Sequence, residues 1–218
     1  MSGPGDIAPP DEGAVGSAVI HLVRHAAHDH VGRVLTGRAP GFGLGEAGRV
    51  QAGHLADWFS GLPVAAVETS PRERARETAQ AIAAAVGVEP ETVAEADEID
   101  FGAWTLKPFE ALDPDPEWRR WNEHRAAGCP PGGESMAAAK ARITVHLARF
   151  AARLGGRTGV LVSHADVIKA AVAEVLGLSL DRIHRFEIAP ASVTTIAAGS
   201  WGAKLLALNV TPAGGGAP

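Results

Sequence analysis

The sequence predicts an α/β domain, a three-layer sandwich in which a largely parallel sheet carries helices on both faces. Short apolar, β-prone segments at residues 18–23, 62–68 and 158–162 alternate with segments of helical periodicity. Gly87 and Gly177 stand where C-terminal helix caps would separate these segments. Strands that alternate with helices are typical of a parallel sheet with a helix in each connection.

Four helices are expected between and after these strands. Apolar residues recur at helical spacing from Glu46 to Phe59. The next helix shows start signals: Ser70 and Glu73 have the spacing of a capping box, and Pro71 suits the first helical position. The remaining two helices are predicted over Ser135–Leu154 and Ala165–Leu176.

The rest of the chain completes the domain. Strands are predicted at residues 185–188, 193–198 and 204–208. Periodicity is weak over residues 102–133, so we expect a loop-and-short-helix excursion over the active site. We predict a single domain over residues 18–210, with Gly- and Pro-rich flexible tails over 1–17 and 211–218.

The bulk composition limits the partners of the chain. Its 218 residues carry a formal net charge of −5, which gives no overall attraction to nucleic acid or to anionic membranes. No apolar segment approaches the ~20 residues of a membrane-spanning helix. Cys129 is the single cysteine, so no intrachain disulfide can form. We expect a cytoplasmic protein that binds neither nucleic acid nor membrane, and the sequence leaves open whether it forms a homodimer.

Basic and imidazole side chains follow three predicted strands. Arg24 and His25 end the first strand, Arg74 lies in the first turn after the second, and His164 directly follows the third. Ligands of open α/β sheets bind beyond the carboxyl ends of the strands, so we expect these residues to share one pocket. Two arginines and nearby helix N-termini would suit a phosphoryl group. The pattern therefore suggests a phosphate site. We expect a small phosphorylated substrate and no metal or organic cofactor.

The string LVRHAAHDHVGRVLTGR resembles the signature of the histidine phosphatase superfamily, which includes the phosphoglycerate mutases. The resemblance continues in family order with SPRERARETA, EIDFGAW, PPGGES and VSHADVI, and it extends from about Val19 to Asn209. It implies the phosphoglycerate mutase-like fold and the bacterial phosphatase branch of the superfamily. The implied activity is metal-independent hydrolysis of phosphomonoesters through a phosphohistidine.

The resemblance also implies a role for each matching residue. His25 would be the nucleophile that carries the phosphoryl group. Arg24, Arg74 and His164 would hold its equatorial oxygens, because phosphoryl transfer depends mainly on positioning and charge stabilisation. Glu98 would give a proton to the leaving oxygen and then take one from water.

Departures from the family pattern lie mostly in the loop after His25. The usual glycine is replaced by Ala26, and an asparagine that would donate to phosphate is missing, so His28 or Arg38 is expected to bind phosphate in its place. The residues expected to line the substrate site are Trp104, Glu134 and Ser135. An N-cap role is an equal alternative for Glu134 and Ser135.

The sequence leaves alternatives open for several of these assignments. Arg72 and Arg76 compete with Arg74 for phosphate binding, and Glu98 has three acidic competitors, Glu95, Asp97 and Asp100. Three rival functions also remain: a phosphoglycerate mutase, a non-catalytic module that binds phosphate esters, and a metallohydrolase. The metallohydrolase hypothesis rests on a tract in which ligand-type residues crowd together, namely His25, His28, Asp29 and His30.

Overall fold

The computed structural model describes residues 16–212, and a six-stranded sheet lies at its centre. The strands are β1 (Ala18–Arg24), β2 (Val64–Thr69), β3 (Pro90–Thr92), β4 (Thr158–Ser163), β5 (Val193–Gly199) and β6 (Gly202–Val210). The helices are α1 (Glu46–Phe59), α2 (Glu73–Val86), α3 (Phe109–Leu112), α4 (Pro116–Glu123), α5 (Met136–Leu154) and α6 (Ala165–Leu176). The predicted tails lie mostly outside the described residues.

The sheet has the strand order β3-β2-β4-β1-β5-β6. The first four strands in this order are parallel, and β5 and β6 add an antiparallel hairpin beside β1. The predicted α/β class with a largely parallel sheet is therefore confirmed. In β1 and β4, Arg24 pairs with Ser163, and Thr69 of β2 pairs with Val162 of β4. The three strands thus end at the same edge of the sheet, which brings the residues after them together.

Helices cover both faces of the sheet, because the central strands bury side chains in both directions. Val23 of β1 packs with α1 and α2, whereas Ile20 and Leu22 pack with α5 and α6 on the other face. β4 alternates in the same way, with Leu161 facing α5 and α6. Burial on both faces explains why these strands are continuous apolar segments rather than alternating ones. No helix within residues 16–212 is long and apolar enough to cross a membrane.

The segment after β3 forms a tryptophan-rich wall. It includes two short helices, α3 and α4, and a 3₁₀ turn at Gly102–Trp104. Trp104 is 2% exposed and packs edge-to-face against Trp118 and Trp121, with ring centroids 5.3 and 5.7 Å away. The guanidinium of Arg125 lies over the Trp121 ring, 3.5 Å from its centroid.

Two predictions about local structure are wrong, and one short strand was missed. Residues 185–188 form no strand: a 3₁₀ helix covers Leu180–Arg185, and the Ile188 carbonyl accepts a hydrogen bond from Arg24 instead of a strand neighbour. The capping box does not form either, because α2 begins at Glu73 with Arg72 as N-cap, and the Ser70 hydroxyl contacts His164. The edge strand β3 was not predicted, since three residues are too short to show periodicity.

Candidate active site

Three strand-to-loop junctions meet at the carboxyl edge of the sheet. His25 follows β1, and its backbone N–H donates to the Ser163 carbonyl at the end of β4 (2.9 Å). Ser70 follows β2 and donates its backbone N–H to Val162 of β4 (2.9 Å). His164 follows β4 and is the N-cap residue of α6. These bonds fix the positions of the junctions relative to one another.

The His25 ring is held in one orientation. Its Nδ1 lies 2.8 Å from the carbonyl oxygen of Ala26, to which only a protonated nitrogen can donate. Nε2 is then the unprotonated nitrogen, and it accepts from Nε of Arg74 at 3.2 Å. Burial, followed by the charges of Arg74 and Arg24, holds the pKa of His25 well below its usual value. The ring is therefore neutral, with the Nε2 lone pair available for attack.

Arg74 and Arg24 have donors that nothing in the described structure uses. Arg74 is 1% exposed. Its Nε donates to His25 and its Nη2 donates to the Gly37 carbonyl (2.9 Å), but its Nη1 is buried without a partner. Arg24 donates through Nη1 to the Ile188 carbonyl (2.6 Å), and its Nε is buried without a partner. A buried unpaired guanidinium donor is costly. These donors are therefore suited to an anionic ligand.

His164 is fully buried behind His25, with the two ring centroids 5.1 Å apart. Its Nδ1 lies 3.2 Å from a terminal nitrogen of Arg74, and its Nε2 lies 2.7 Å from the Ser70 hydroxyl. A guanidinium can only donate, so Nδ1 accepts and the Nε2 proton goes to Ser70. The Ser70 hydroxyl then donates to Asp97 Oδ1 at 3.4 Å. This chain fixes the tautomer and orientation of His164.

Glu98 is the carboxyl group beside these histidines. Its Oε2 lies 3.6 Å from Nδ1 of His164, and its Oε1 accepts from the Ile99 backbone N–H at 2.9 Å. Burial, followed by the negative charge of Asp166, raises the pKa of Glu98 to about 7. A carboxyl group with this pKa exchanges protons readily near neutral pH.

The acidic neighbours of Glu98 are occupied elsewhere. Asp97 is ion-paired with Arg72, whose Nε lies 2.9 Å from its Oδ1. Asp100 accepts from the Gly102 backbone N–H, and Glu95 is 3.9 Å from His146 on a different side. The geometry therefore favours Glu98 over its three competitors.

A cavity of about 170 Å³ opens in front of His25. His28 is part of its wall and stacks on His25 with ring centroids 5.8 Å apart, while its Nδ1 accepts from the backbone N–H of His30. The lining also includes Arg24, Arg74 and Glu98. Its apolar side chains come from the loop after His25 and from the segment 101–109: Val31, Val34, Leu35, Phe101 and Phe109.

Asp166 lines the same cavity and was missed in the sequence. Its Oδ2 bonds Arg125 at 2.9 Å. Burial pushes the pKa of Asp166 upward, but the Arg125 charge and hydrogen bond outweigh it and leave the pKa below its ordinary value. The sequence offered one indication of this residue, namely the position of Asp166 in VSHADVI. The first turn of a helix that follows a strand end points toward the ligand site.

Two residues outside the cavity hold the loop after His25. The Thr78 hydroxyl accepts from the Ala26 backbone N–H (3.0 Å) and donates to the Arg74 carbonyl (2.7 Å), so it links the loop after His25 to α2. Gly48 of α1 lies against Ala27, and a Cβ atom there would lie 1.8 Å from the Ala27 carbonyl oxygen. The backbone of this loop is thus packed directly on both helices.

Five predicted site residues, His164 among them, are absent from the lining of this cavity. The other four make contacts that account for their positions without a ligand. Arg38 donates to the Glu98 carbonyl (2.6 Å) and to Glu134 (2.8 Å), so both its side chain and that of Glu134 are engaged behind the site. Ser135 caps α5 by accepting from Ala138 N–H (3.1 Å). Trp104 lies in the apolar core described above. Each of the four satisfies a local packing or hydrogen-bonding need.

A larger cavity than the one in front of His25 lies elsewhere. It measures about 690 Å³ and lies between α5, α6 and the β5–β6 hairpin. Its walls are mostly small apolar side chains, and its one carboxylate, Glu174, is ion-paired with Lys140 at 2.8 Å. Volume alone therefore does not mark the reactive site. Within residues 16–212, no group of three or more His, Cys, Asp and Glu side chains is arranged to hold a metal ion.

Comparison with known proteins identifies the family of the chain. The family model of the histidine phosphatase superfamily (branch 1) matches residues 20–211. The chain belongs to this superfamily. Phosphoserine phosphatase 1 of Hydrogenobacter thermophilus is 32% identical over 194 residues, covering 87% of this chain and 91% of the relative. An uncharacterised protein of Mycobacterium tuberculosis is 34% identical over 149 residues, covering 66% of this chain and 72% of its own length.

Solved structures show the same fold. A mycobacterial glucosyl-3-phosphoglycerate phosphatase superposes with a TM-score of 0.80 at 24% identity, covering 89% of this chain and 99% of that one. A putative α-ribazole-5′-phosphate phosphatase from Escherichia coli gives a TM-score of 0.77 at 24% identity, covering 92% and 100%. The predicted family and the prediction of a phosphatase-type enzyme in the histidine phosphatase superfamily are thereby confirmed.

Proposed function

We propose that this histidine phosphatase superfamily member hydrolyses small phosphomonoesters through a covalent phosphohistidine on Nε2 of His25, without a metal ion. One observation carries the proposal: the unprotonated Nε2 lies beside Arg74, and both Arg74 and Arg24 keep buried donors unpaired. A tetrahedral anion would satisfy those donors and place its phosphorus next to the nucleophile.

In the first step, Nε2 attacks phosphorus and the bond from phosphorus to the ester oxygen breaks. Arg24 and Arg74 balance the charge on the equatorial oxygens, and His164, held by Ser70, supports them from behind. Protonated Glu98 gives its proton to the departing oxygen, so the product leaves as a neutral alcohol.

In the second step, water attacks the phosphohistidine. Glu98, now ionised, takes a proton from the water as its oxygen bonds to phosphorus. The bond between Nε2 and phosphorus breaks, which returns neutral His25 and releases inorganic phosphate. A pKa of about 7 lets Glu98 serve as the acid in one step and the base in the next.

The decisive experiment measures phosphate release from p-nitrophenyl phosphate in excess chelator. Wild type is compared with His25→Ala and with His30→Ala, a matched histidine change at an exposed position of the same loop. We expect activity in wild type and His30→Ala and none in His25→Ala. Base-quenched wild type should also carry a phosphoryl group on the peptide that contains His25.

Other outcomes would separate the alternatives. Turnover in His25→Ala, or its loss in chelator, would contradict the proposal. Transfer of the phosphoryl group between the hydroxyls of a phosphoglycerate, with little release to water, would indicate the mutase activity instead. Phosphate-ester binding without turnover would indicate a binding module.

A further inference from the structure

We infer that the alcohol part of the substrate carries hydroxyl or ammonium groups and no carboxylate close to the phosphoryl group. The inference rests on the proposed function and names the substrate class of the same site. It follows from the charged groups that remain in the cavity when a phosphoryl group is bound to Arg24 and Arg74.

Beyond those two arginines, the charged groups of the cavity wall are acidic. Glu98 and Asp166 both line the cavity, and no lysine or third arginine does so within the described part of the chain. Two further cations act on Asp166 from outside the wall. Arg125 is 5% exposed, is bonded to Asp166 and lies over Trp121, and Lys169 is 8% exposed and lies 3.4 Å from Glu187. A carboxylate on the substrate would therefore find no further cation in the cavity wall.

Of the two acids, Glu98 and Asp166, it is Asp166 that stays ionised when the ester reacts. Glu98 must be protonated to release the alcohol, so it is neutral when the ester reacts. Asp166 is held ionised by Arg125, which contacts only Oδ2; its Oδ1 has no hydrogen-bond partner among residues 16–212. The side chain is 21% exposed, so this oxygen can accept from a ligand. An ionised carboxylate attracts hydroxyl and ammonium donors and repels another carboxylate.

The rest of the wall sets the size and character of the alcohol. Apolar side chains, among them Phe101 and Phe109, surround the acidic pair, and the cavity volume of about 170 Å³ suits a small alcohol. Such a wall accepts a short carbon skeleton. Its other polar side chains, His28 and Thr36, carry no charge near neutral pH, since burial lowers the pKa of His28 to about 4. Asp166 is thus the one ionised group of the wall left to recognise the alcohol.

Two pairs of esters that differ by one carboxylate test the inference. Glycerol 3-phosphate is compared with 3-phosphoglycerate, and phosphoethanolamine with phosphoserine, as competitors of p-nitrophenyl phosphate hydrolysis. In wild type, the member without the carboxylate should inhibit at least about tenfold more strongly in each pair. The same ranking should hold for kcat/KM where turnover is measurable.

Asp166→Asn removes the charge and keeps the side-chain shape. We expect it to bring both ratios close to one, whereas Asp57→Asn, an equal charge change at an exposed position of α1, should leave them as in wild type. The ratio is informative even though Asp166 also affects the pKa of Glu98, because that effect applies equally to both esters of a pair.

The experiments give different results if this inference fails and if the proposed function fails. Loss of the function would appear as no His25-dependent hydrolysis of p-nitrophenyl phosphate. If that hydrolysis is present, equal or tighter inhibition by the carboxylated esters in wild type would overturn the inference. Absence of inhibition by all four esters, or ratios unchanged in Asp166→Asn, would overturn it as well.

Discussion

Two pairs of arginines lie near Glu98 and differ in what their donors contact. Arg24 and Arg74 face the cavity, and each keeps a buried N–H group unpaired. Behind Glu98, Arg38 donates to Glu134 and to the Glu98 carbonyl. Arg142 bonds both carboxylate oxygens of Glu134, at 2.7 and 2.9 Å.

This difference distinguishes arginines that can bind a ligand from arginines that stabilise the fold. A buried donor without a partner destabilises the protein until a ligand satisfies it, whereas a paired donor already stabilises the fold. The paired group holds the backbone of Glu98 in place, since Arg38 and Arg142 both donate to its carbonyl. Side-chain type and rough position are the same in the two groups, so only their contacts tell them apart.

The largest effect that this comparison predicts is the loss of activity when Glu98, the proposed proton donor, is replaced. Glu98→Gln should lower kcat for an alkyl phosphate by about 10²–10⁴-fold, because the leaving alkoxide loses its proton source. The loss should be smaller for p-nitrophenyl phosphate, whose leaving group needs no proton. A similar loss for both esters would show that Glu98 acts in some other way.

The pH dependence gives a second measure of Glu98. In wild type, kcat for the alkyl ester should fall as the pH rises through about 7, because the acid form of Glu98 is lost above its pKa. That fall should be absent in Glu98→Gln. A descending limb that persists in the variant would assign it to another group.

Arg74→Ala tests the unpaired donors and should raise the barrier by about 2.7–4 kcal/mol, comparable to the loss of one oxyanion donor. Steady-state kcat/KM with p-nitrophenyl phosphate measures it. Arg74→Lys serves as the control for charge, because it keeps the cation and loses the planar fork. Near-normal rates in Arg74→Ala would move the role to Arg72 or Arg76.

A pair of glycine changes in α1 tests how firmly the loop after His25 is supported. Gly48→Ala should destabilise the protein by about 1–3 kcal/mol, because the new Cβ would overlap the Ala27 carbonyl. Gly53→Ala, in the same helix with nothing within 4 Å of its Cβ, should stabilise by about 0.5–1 kcal/mol. Chemical denaturation of both variants measures the difference, and effects of the same sign would contradict the packing described.

The smallest effect on activity is expected behind the site. Arg38→Ala should change kcat/KM less than about tenfold, since its donors are taken by Glu98 and Glu134 rather than by the cavity. Inhibition by inorganic phosphate should be unchanged. If Arg38→Ala lost as much activity as Arg74→Ala, the distinction between paired and unpaired arginines would fail.

Part of the site could be predicted because it depends on local patterns. A strand end followed by Arg24 and His25, or by His164, can be found from a short apolar segment and the residues after it. The same holds for the alternation of strands and helices. The prediction was wrong where a residue served a distant partner: Ser70 was expected to cap a helix, but its hydroxyl contacts His164, 94 residues away.

The sequence by itself determined the α/β class, the family and the edge of the sheet at which the reactive residues meet, because apolar periodicity and residue order are local properties. Only the tertiary structure decided that Arg24 and Arg74 each keep one buried donor without a partner, that Asp166 lines the cavity, and that burial beside Asp166 raises the pKa of Glu98. Those properties depend on which side chains meet and how much water reaches them, and both are set by packing between distant parts of the chain.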